Sequence, residues 1–436
     1  MLGRSHVRTP PASPSPEGPS PTTSTALSEP TRPVNALWVT GISIANLGMW
    51  MAFFGPLQVL LPEQVALIDP EGKETSLAWI TGLGAFFAMV GTPLVGALSD
   101  RTTGRFGRRR PWILAGAVLG CLGLILLGRQ SSILGVLVGW SFVQASLSCL
   151  MAPLLASVPD QVPVRQRGVI SGWIGIPQAA GVVIAVLLVT VVTTGIAPGY
   201  TLLGVLVLLC ALPFTLAAPD PPLPAQARPP WSDHLRNLWI SPRKYPDFGW
   251  AWLTRFLVQT GNSMFTLYLL YFLRDRVGYE ELFPGSSATE GLLVLILIHT
   301  AASVITTVVA GLVSDRIGRR RGMVFLSGVV MTVPALALAL SPTWTTGLIC
   351  AVLFGVGFGI FLSVDNALVT QVLPTASGRA KDLGIVNIAS AGPQVIAPAL
   401  AGPIVVHLGG YSTLYTVCGM LTLLGGILVW RIKGVP

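Results

Sequence analysis

Charge is what this chain has least of. Asp, Glu, Lys and Arg make up 10% of its 436 residues, 52% are hydrophobic, and the mean hydropathy is +0.70. A water-soluble domain carries about 25% charged residues, so this sequence lacks the means to cover a water-facing surface. The formal charge of +9 would suggest nucleic acid in a soluble protein. Here it reads instead as basic loops between bilayer-spanning helices, and no nucleic acid is expected. Cysteine and histidine are scarce too. The five cysteines (Cys121, Cys149, Cys210, Cys350, Cys418) lie singly in apolar runs, which excludes a disulfide framework and a zinc site of the CxxC type. They read as small buried hydrophobes. No G-x-x-x-x-G-K-[ST] phosphate loop occurs, which argues against an ATP-driven pump. No nucleophile–base set marks an enzyme, and no cofactor or metal is expected.

Residues 1–34 have no apolar segment, only Pro, Ser and Thr in quantity. A cleavable signal peptide needs about 7–15 apolar residues, so this stretch is expected to be a disordered cytoplasmic tail.

Apolar segments fall at about 37–61, 77–98, 111–128, 132–157, 167–191 and 199–217, and again at about 250–273, 290–313, 322–340, 343–373, 382–406 and 411–431. Each is near the roughly 20 residues that a bilayer-spanning helix needs. The expected fold is therefore all-α and membrane-embedded, with twelve spans in two six-helix bundles, 35–217 and 250–431. The polar, proline-rich stretch 218–249 joins them as a linker.

The loops orient these spans. Glu63, Asp69, Glu71, Lys73 and Glu74 follow span 1, and a mixed loop with an acidic excess follows span 7. Arg101, Arg105, Arg108, Arg109 and Arg110 follow span 2, and Arg316, Arg319, Arg320 and Arg321 follow span 8. Basic loops stay inside the cell, so both termini and the linker are expected in the cytoplasm, with the protein in the plasma membrane.

The two halves echo one another. "GALSDRTTGRFGRRR" (96–110) is answered by "GLVSDRIGRRR" (311–321), with four extra residues in the first copy. "VPDQVPVRQRGVISGWIGIPQAAG" (158–181) is answered by "LPTASGRAKDLGIVNIASAGPQVIAP" (373–398), and both echoes lie about 215 residues apart. A duplicated six-span unit with a site between the copies describes a secondary transporter.

The doubled G-x-x-x-D-R-x-G-R-[RK]-[RK] loop resembles the signature of the major facilitator superfamily. "SDRTTGRFGRRRPWILAGA" and "QVLPTASGRAKDLGIVNIASAGPQVIAPALAG" further resemble the sucrose/glycoside–proton symporters of that group. The resemblance implies alternating access, with the loops as conformational latches. Asp100 and Asp315 would then approach the positive N-terminal ends of helices in the opposite half, near 378–384 and 167–171 respectively. Arg101 and Arg316 would hold those aspartates. Gly96, Gly107, Gly311 and Gly318 would permit close approach and tight turns. Arg319 belongs to the second copy of this gating loop, and Arg108 to Arg110 would chiefly fix topology.

The resemblance also implies that spans 1, 4, 7 and 10 line the cavity. Read at helical spacing, their polar and aromatic stripes are Asn46, Trp50, Phe54 and Gln58; Trp140, Gln144 and Ser148; Arg255, Gln259, Asn262 and Thr266; and Phe354, Phe358, Phe361 and Asp365. Aromatic faces beside amides suit a polyhydroxylated ligand, though ordinary interhelical packing produces similar stripes. Ionisable groups inside a membrane default to functional hypotheses. Arg255 and Asp365 lie at matching depths and are expected to pair, either to couple protons to substrate or as a static ion pair. His299, near the middle of span 8, is a further proton candidate. Neither span 1 nor span 4 carries an acidic residue in its interior, which leaves symport, uniport and export as alternatives. The expected protein is a monomeric carrier whose partners are a small polar solute such as a sugar or glycoside, the lipid bilayer and protons. An exporter of amphipathic compounds and a non-transporting membrane sensor or scaffold are the competing readings.

Overall fold

The computed structural model describes residues 30–31, 33–220, 245–371 and 379–433. Most of the expected tail and linker lies outside them. Among the described residues, twelve long helical stretches follow one another. In the first half they are α1 (Ala36–Ile68), α2 (Lys73–Asp100), α3 (Arg110–Leu127), α4 (Ile133–Gln161), α5 (Val164–Leu187, extended by a π-helical turn Leu188–Val192) and α6 (Ile196–Ala217). In the second half they are α7 (Pro246–Leu267), α8 (Ala288–Ile317), α9 (Arg320–Leu340), α10 (Trp344–Gln371), α11 (Arg379–His407) and α12 (Gly410–Leu428). Helix α7 begins four residues before the boundary read from hydropathy, because Pro246 fits a first helical turn.

Ten of the twelve stretches are long and apolar enough to cross a membrane. The other two are α7 and α11. In α7 the apolar pattern is diluted by Asp247, Arg255, Gln259 and Asn262. Large apolar side chains such as Trp79, Leu122, Ile305 and Leu340 stand exposed around the outside. In water such a surface would be a liability; against lipid tails it is the expected one.

Local sequence explains where the helices start. Asn35 accepts the Trp38 N–H, Ser132 that of Gly135 and Ser287 that of Glu290, each satisfying an amide that the first turn leaves unpaired. Helix α1 is interrupted at Pro56–Leu60 by a π-helical turn, and α7 breaks at Tyr268 before a π-helical turn Leu273–Val277. Such turns reorient side chains inside a span. Both breaks fall toward the end of the molecule remote from the arginine loops.

The packing repeats. In the first half α1 lies against α5 and α6, α2 against α4, and α3 against α4 and α6. In the second half α7 lies against α11 and α12, α8 against α10, and α9 against α10 and α12. Adding six to each helix number converts one set into the other, so the echo in sequence is an echo in contact. Between halves α2 meets α11, and α5 meets α8 more slightly. Glycines set the closest approaches. A Cβ at Gly116 of α3 would lie 2.5 Å from the backbone nitrogen of Leu150 in α4. Interfaces of this kind rely on small residues because lipid offers no hydrophobic drive between helices.

Candidate translocation site

The arginine-loop end is built as a clasp within the first half. Gly107 adopts φ +91°, a conformation only glycine adopts readily, and this turn folds Arg108 and Arg109 back beneath the helices. Both are buried. Arg108 Nη2 lies 2.7 Å from Asp160 Oδ1 at the end of α4. Arg109 binds Asp160 through Nε at 2.8 Å and Asp100 through Nη2 at 2.5 Å. Burial works against the Arg109 charge, but Asp160 and Asp100 outweigh it and hold its pKa above the ordinary guanidinium value. The backbone N–H groups of Arg109 and Arg110 donate to Asp220 Oδ2 at 2.7 and 2.9 Å, and Arg110 Nη2 donates to the Ala218 carbonyl.

This corrects two expectations. Arg108 and Arg109 bind carboxylates inside the fold rather than serving topology alone, because the four extra residues of the first loop let the chain double back. Gly96 and Gly311 have nothing within 4 Å of an added Cβ, so the close approach expected there is not made in this arrangement. Gly107 and Gly318 do make tight turns, at φ +91° and +68°. Arg316 and Arg319 are exposed. The side chains of Asp315 and of residues 378–384, which Asp100 was expected to approach, are not described.

In the middle of the molecule, α7, α10 and α11 bring charges together. Arg255 Nη1 lies 2.6 Å from Asp365 Oδ2, and the Asp365 side chain is 5% exposed. Ser390 of α11 accepts the Arg255 Nε–H at 2.8 Å. Ser390 was not singled out from sequence, because a serine in an alanine- and glycine-rich run carries no spacing signal. Asn262 and Gln259 sit half-buried on the same helix as Arg255, and Asn262 Oδ1 accepts no hydrogen bond among the described residues.

In the first half the wall is uncharged. Trp50 stacks on Phe54 with centroids 5.5 Å apart, and Phe53 packs edge-on to both. Phe53 also reaches Trp140 of α4 at 6.4 Å. It thus joins α1 to α4, as does Trp38, whose indole N–H donates to Gln161 Oε1 at 2.6 Å, though the helical stripe passed over both. Trp140 is fully buried against Gly84, and its indole N–H finds no acceptor among the described residues. Asn46 turns inward and donates to the Ile42 carbonyl of its own helix. Gln144 is buried, its own carbonyl accepting from Ser148, while Gln58 sits half-buried in the π-helical turn of α1. On the far side Phe354 stacks on Phe265 at 3.9 Å. Phe358 lies 6.4 Å from Phe361 and 6.1 Å from His299. His299 Nδ1 has no partner among the described residues.

The opposite end is shut by contacts that all cross between halves. Arg274 Nη2 meets Glu63 at 2.5 Å, and Lys73 Nζ meets Asp275 at 2.7 Å. The Tyr271 hydroxyl donates to the Pro62 carbonyl, and that of Tyr268 to the Glu74 carbonyl, both at 2.8 Å. A Cβ at Gly402 would lie 2.7 Å from that of Ala78, so α2 and α11 touch closely here. In the sequence these charges served only to orient the chain. Their pairing was signalled by opposite charges after spans 1 and 7, the equivalent positions of the two halves.

Two repeated bundles, a charged and aromatic middle, and one end closed by contacts between bundles form the frame of an alternating-access carrier. The sequence model of the Major Facilitator Superfamily matches residues 42–302 and again 285–436. The chain belongs to the Major Facilitator Superfamily. Human monocarboxylate transporter 2 is 24% identical over 424 residues, covering 91% of this chain and 84% of that protein. Sucrose transport protein SUT1 of Oryza sativa subsp. japonica is 48% identical over 74 residues, which is 17% of this chain and 13% of that protein. The crystal structure of a point mutant of the nucleoside transporter NupG superposes with a TM-score of 0.72 at 12% identity, covering 91% of this chain and 99% of that one. At that identity the likeness shows the fold alone. As a member of this superfamily the chain is a multi-pass membrane transporter and not an enzyme.

Proposed function

We propose that this transporter is a proton-coupled carrier of a small polar solute, a sugar or glycoside first, with its arginine loops in the cytoplasm. The observation that carries the reading is the Arg255–Asp365 pair held by Ser390 between α7, α10 and α11. Two opposite charges in the middle of a membrane protein are retained at a cost, and breaking the pair leaves an uncompensated charge. Protonation of Asp365 removes the carboxylate charge that Arg255 answers, and a bound solute that takes its place links the proton to transport. The unpartnered Asn262 carbonyl supplies an acceptor of the kind that sugar hydroxyls satisfy, beside aromatic faces that cover C–H surfaces. The local 48% identity to a sucrose transport protein points the same way.

A second reading follows from the same arginine. The full-length likeness to a monocarboxylate transporter favours a small carboxylate as the solute, bound directly by Arg255. Uptake into proteoliposomes of sucrose, a phenyl glucoside and lactate, each with and without an inward proton gradient, separates these readings. Coupled sugar transport predicts gradient-driven sugar uptake that Asp365→Asn abolishes while leaving counterflow intact. Uptake of every solute unaffected by Asp365→Asn would discard the coupling role.

A further inference from the structure

The rims of the two halves at the arginine-loop end share their arginines but not their carboxylates. In the first half Arg110 Nη2 donates to the Ala218 carbonyl, and Asp220, two residues further on, accepts the backbone N–H groups of Arg109 and Arg110. In the second half Arg321 Nη1 donates to the Ile432 carbonyl at 2.8 Å. Two residues beyond Ile432 the sequence reads Gly434, and Thr375 stands where the first half has Asp160. Beside Ile432 stand Arg431 and Lys433, where the first half has Ala217 and Pro219. We propose that this second rim binds the phosphate group of an anionic phospholipid in the leaflet that faces the arginine loops.

Three elements build the site. The first turn of α9, which has no acidic residue, supplies Arg321. The turn Val429–Arg431 after α12 supplies Trp430 and Arg431, and the start of α7 supplies Trp250. The Arg321 guanidinium lies 6.0 Å from the centroid of the Trp430 ring, and the Arg431 guanidinium 5.8 Å from that of Trp250. Phe325 of α9 backs Trp430 at 6.1 Å. Rings so placed hold the guanidinium groups without neutralising them. The backbone N–H of Lys433 donates to Asp247 Oδ1 at 3.0 Å, which fastens this segment to α7. Arg321 Nε is buried and has no acceptor among the described residues. Arg431 and Lys433 are exposed, and neither side chain is in an ion pair among the described residues.

Cations and rings alone suit any anion; their position selects a lipid. Met420, Leu424 and Ile427 of α12 recur at helical spacing and are exposed, forming a stripe against lipid tails. The stripe ends at Trp430, whose ring is also exposed. Amphipathic indoles of this kind sit at headgroup depth. A phospholipid whose tails follow the stripe therefore brings its phosphate to Arg431 and Lys433. Guanidinium–phosphate contacts are charge-assisted and short, and cations at this depth attract anionic lipids. A zwitterionic lipid carries a cation of its own, which the rim repels, so the selection is for net negative charge. The first half meets its arginines from within, through Asp100, Asp160 and Asp220. The site stands apart from the Arg255–Asp365 pair, and its test reads lipid contact rather than transport.

The test places the full-length protein in phosphatidylcholine nanodiscs with a trace of photoactivatable phosphatidylglycerol, its diazirine at the glycerol end of an acyl chain. The expected result is labelling of the α12 segment 420–430, which the matching phosphatidylcholine probe labels far less. Arg431→Gln combined with Lys433→Gln is expected to weaken phosphatidylglycerol binding, read by competition with unlabelled lipid, by about fivefold for each cation removed. Arg431→Lys keeps the charge and is expected to keep the label, which separates loss of charge from loss of fold. Arg129→Gln, at an exposed cation of the opposite end, is expected to leave the label unchanged. Excess inorganic phosphate is expected not to displace the lipid. Equal labelling by the two lipids overturns the proposal, as does an undiminished signal in the double variant. Displacement by inorganic phosphate would make this a site for a free anion and overturn the lipid assignment.

Discussion

Asp160 bears the clasp at the arginine-loop end, and its removal is a sharp test of that description. Asp160→Asn keeps the size of the side chain but withdraws its negative charge and one acceptor. Arg108, 10% exposed at its side chain, then loses its carboxylate, while Arg109, 5% exposed, keeps Asp100 at 2.5 Å and Ser99 Oγ at 3.0 Å. Removing one partner from a buried ion pair costs about 3–5 kcal/mol. Since roughly half of this network survives, the expected loss is about 1.5–2.5 kcal/mol. For a unit the size of one six-helix bundle that corresponds to a melting point lower by about 3–10 °C. The assay is thermal unfolding of the purified protein in detergent. Limited trypsin digestion is a second readout, because a released Arg108 becomes a cleavage site. Arg319→Gln, an exposed position of the second loop, is the control, with an expected effect under about 0.5 kcal/mol. Equal melting points for Asp160→Asn and the control, with the loop still resistant to trypsin, would refute the clasp.

Three other substitutions test other parts of the molecule. Trp140→Phe keeps a ring beside Phe53 and removes a buried N–H that has no acceptor among the described residues; because Trp140 is fully buried against Gly84, solute affinity is expected to be unchanged, as read by isothermal titration. Ser390→Ala removes the Nε partner of Arg255 and is expected to shift the pH profile of uptake, an effect a purely structural serine would not produce. Gly402→Leu fills the space against Ala78 and is expected to hold the end near Tyr411 open, so that a membrane-impermeant maleimide labels Thr266→Cys from outside faster than in the parent protein.

How much of this was legible beforehand follows from the kind of signal each feature leaves. Twelve long helices, the two halves and the basic loops are periodic or compositional, and the sequence displays them without help from tertiary structure. The Arg255–Asp365 contact was legible for a related reason: charges are so rare in apolar runs that two at equal depth invite pairing. Ser390, Phe53 and Phe265 were not legible. Serines and phenylalanines are common in such spans, and which of them meet depends on helix rotation that one sequence does not specify. The clasp was half legible. "GRFGRRR" advertises its charge, but nothing in the run tells that a left-handed Gly107 turns Arg108 and Arg109 inward to Asp160, some fifty positions downstream. The partner of Asn46 is hidden by the same dependence on rotation. Its amide satisfies its own helix, a common resort for a polar side chain that finds no partner across an apolar interface.

The two halves share a packing plan but not a chemistry, and the difference bears on how the carrier works. Arg110 donates to the Ala218 carbonyl after α6, and Arg321 donates to the Ile432 carbonyl after α12, so this part of the duplicated loop is preserved. The carboxylate of the clasp is not, because the step Pro159-Asp160 is answered by Pro374-Thr375. The second loop also lacks the four residues that let the first fold back. In the middle of the molecule the asymmetry is reversed. The first half presents Trp50, Phe53, Phe54, Trp140 and Gln144, all neutral, while the second holds Arg255, Asp365 and His299. Among the described residues the first copy thus has its buried charges at the clasp, and the second has its own in the cavity. A half tied at its rim by Asp100, Asp160 and Asp220 is suited to act as the fixed wall against which solute is held. A half whose ionisable groups sit inside is suited to change its arrangement as those groups gain and lose partners. On this reasoning rearrangement during transport concentrates in α7, α10 and α11, where Arg255, Asp365 and Ser390 meet, and α1 to α6 move largely as one body.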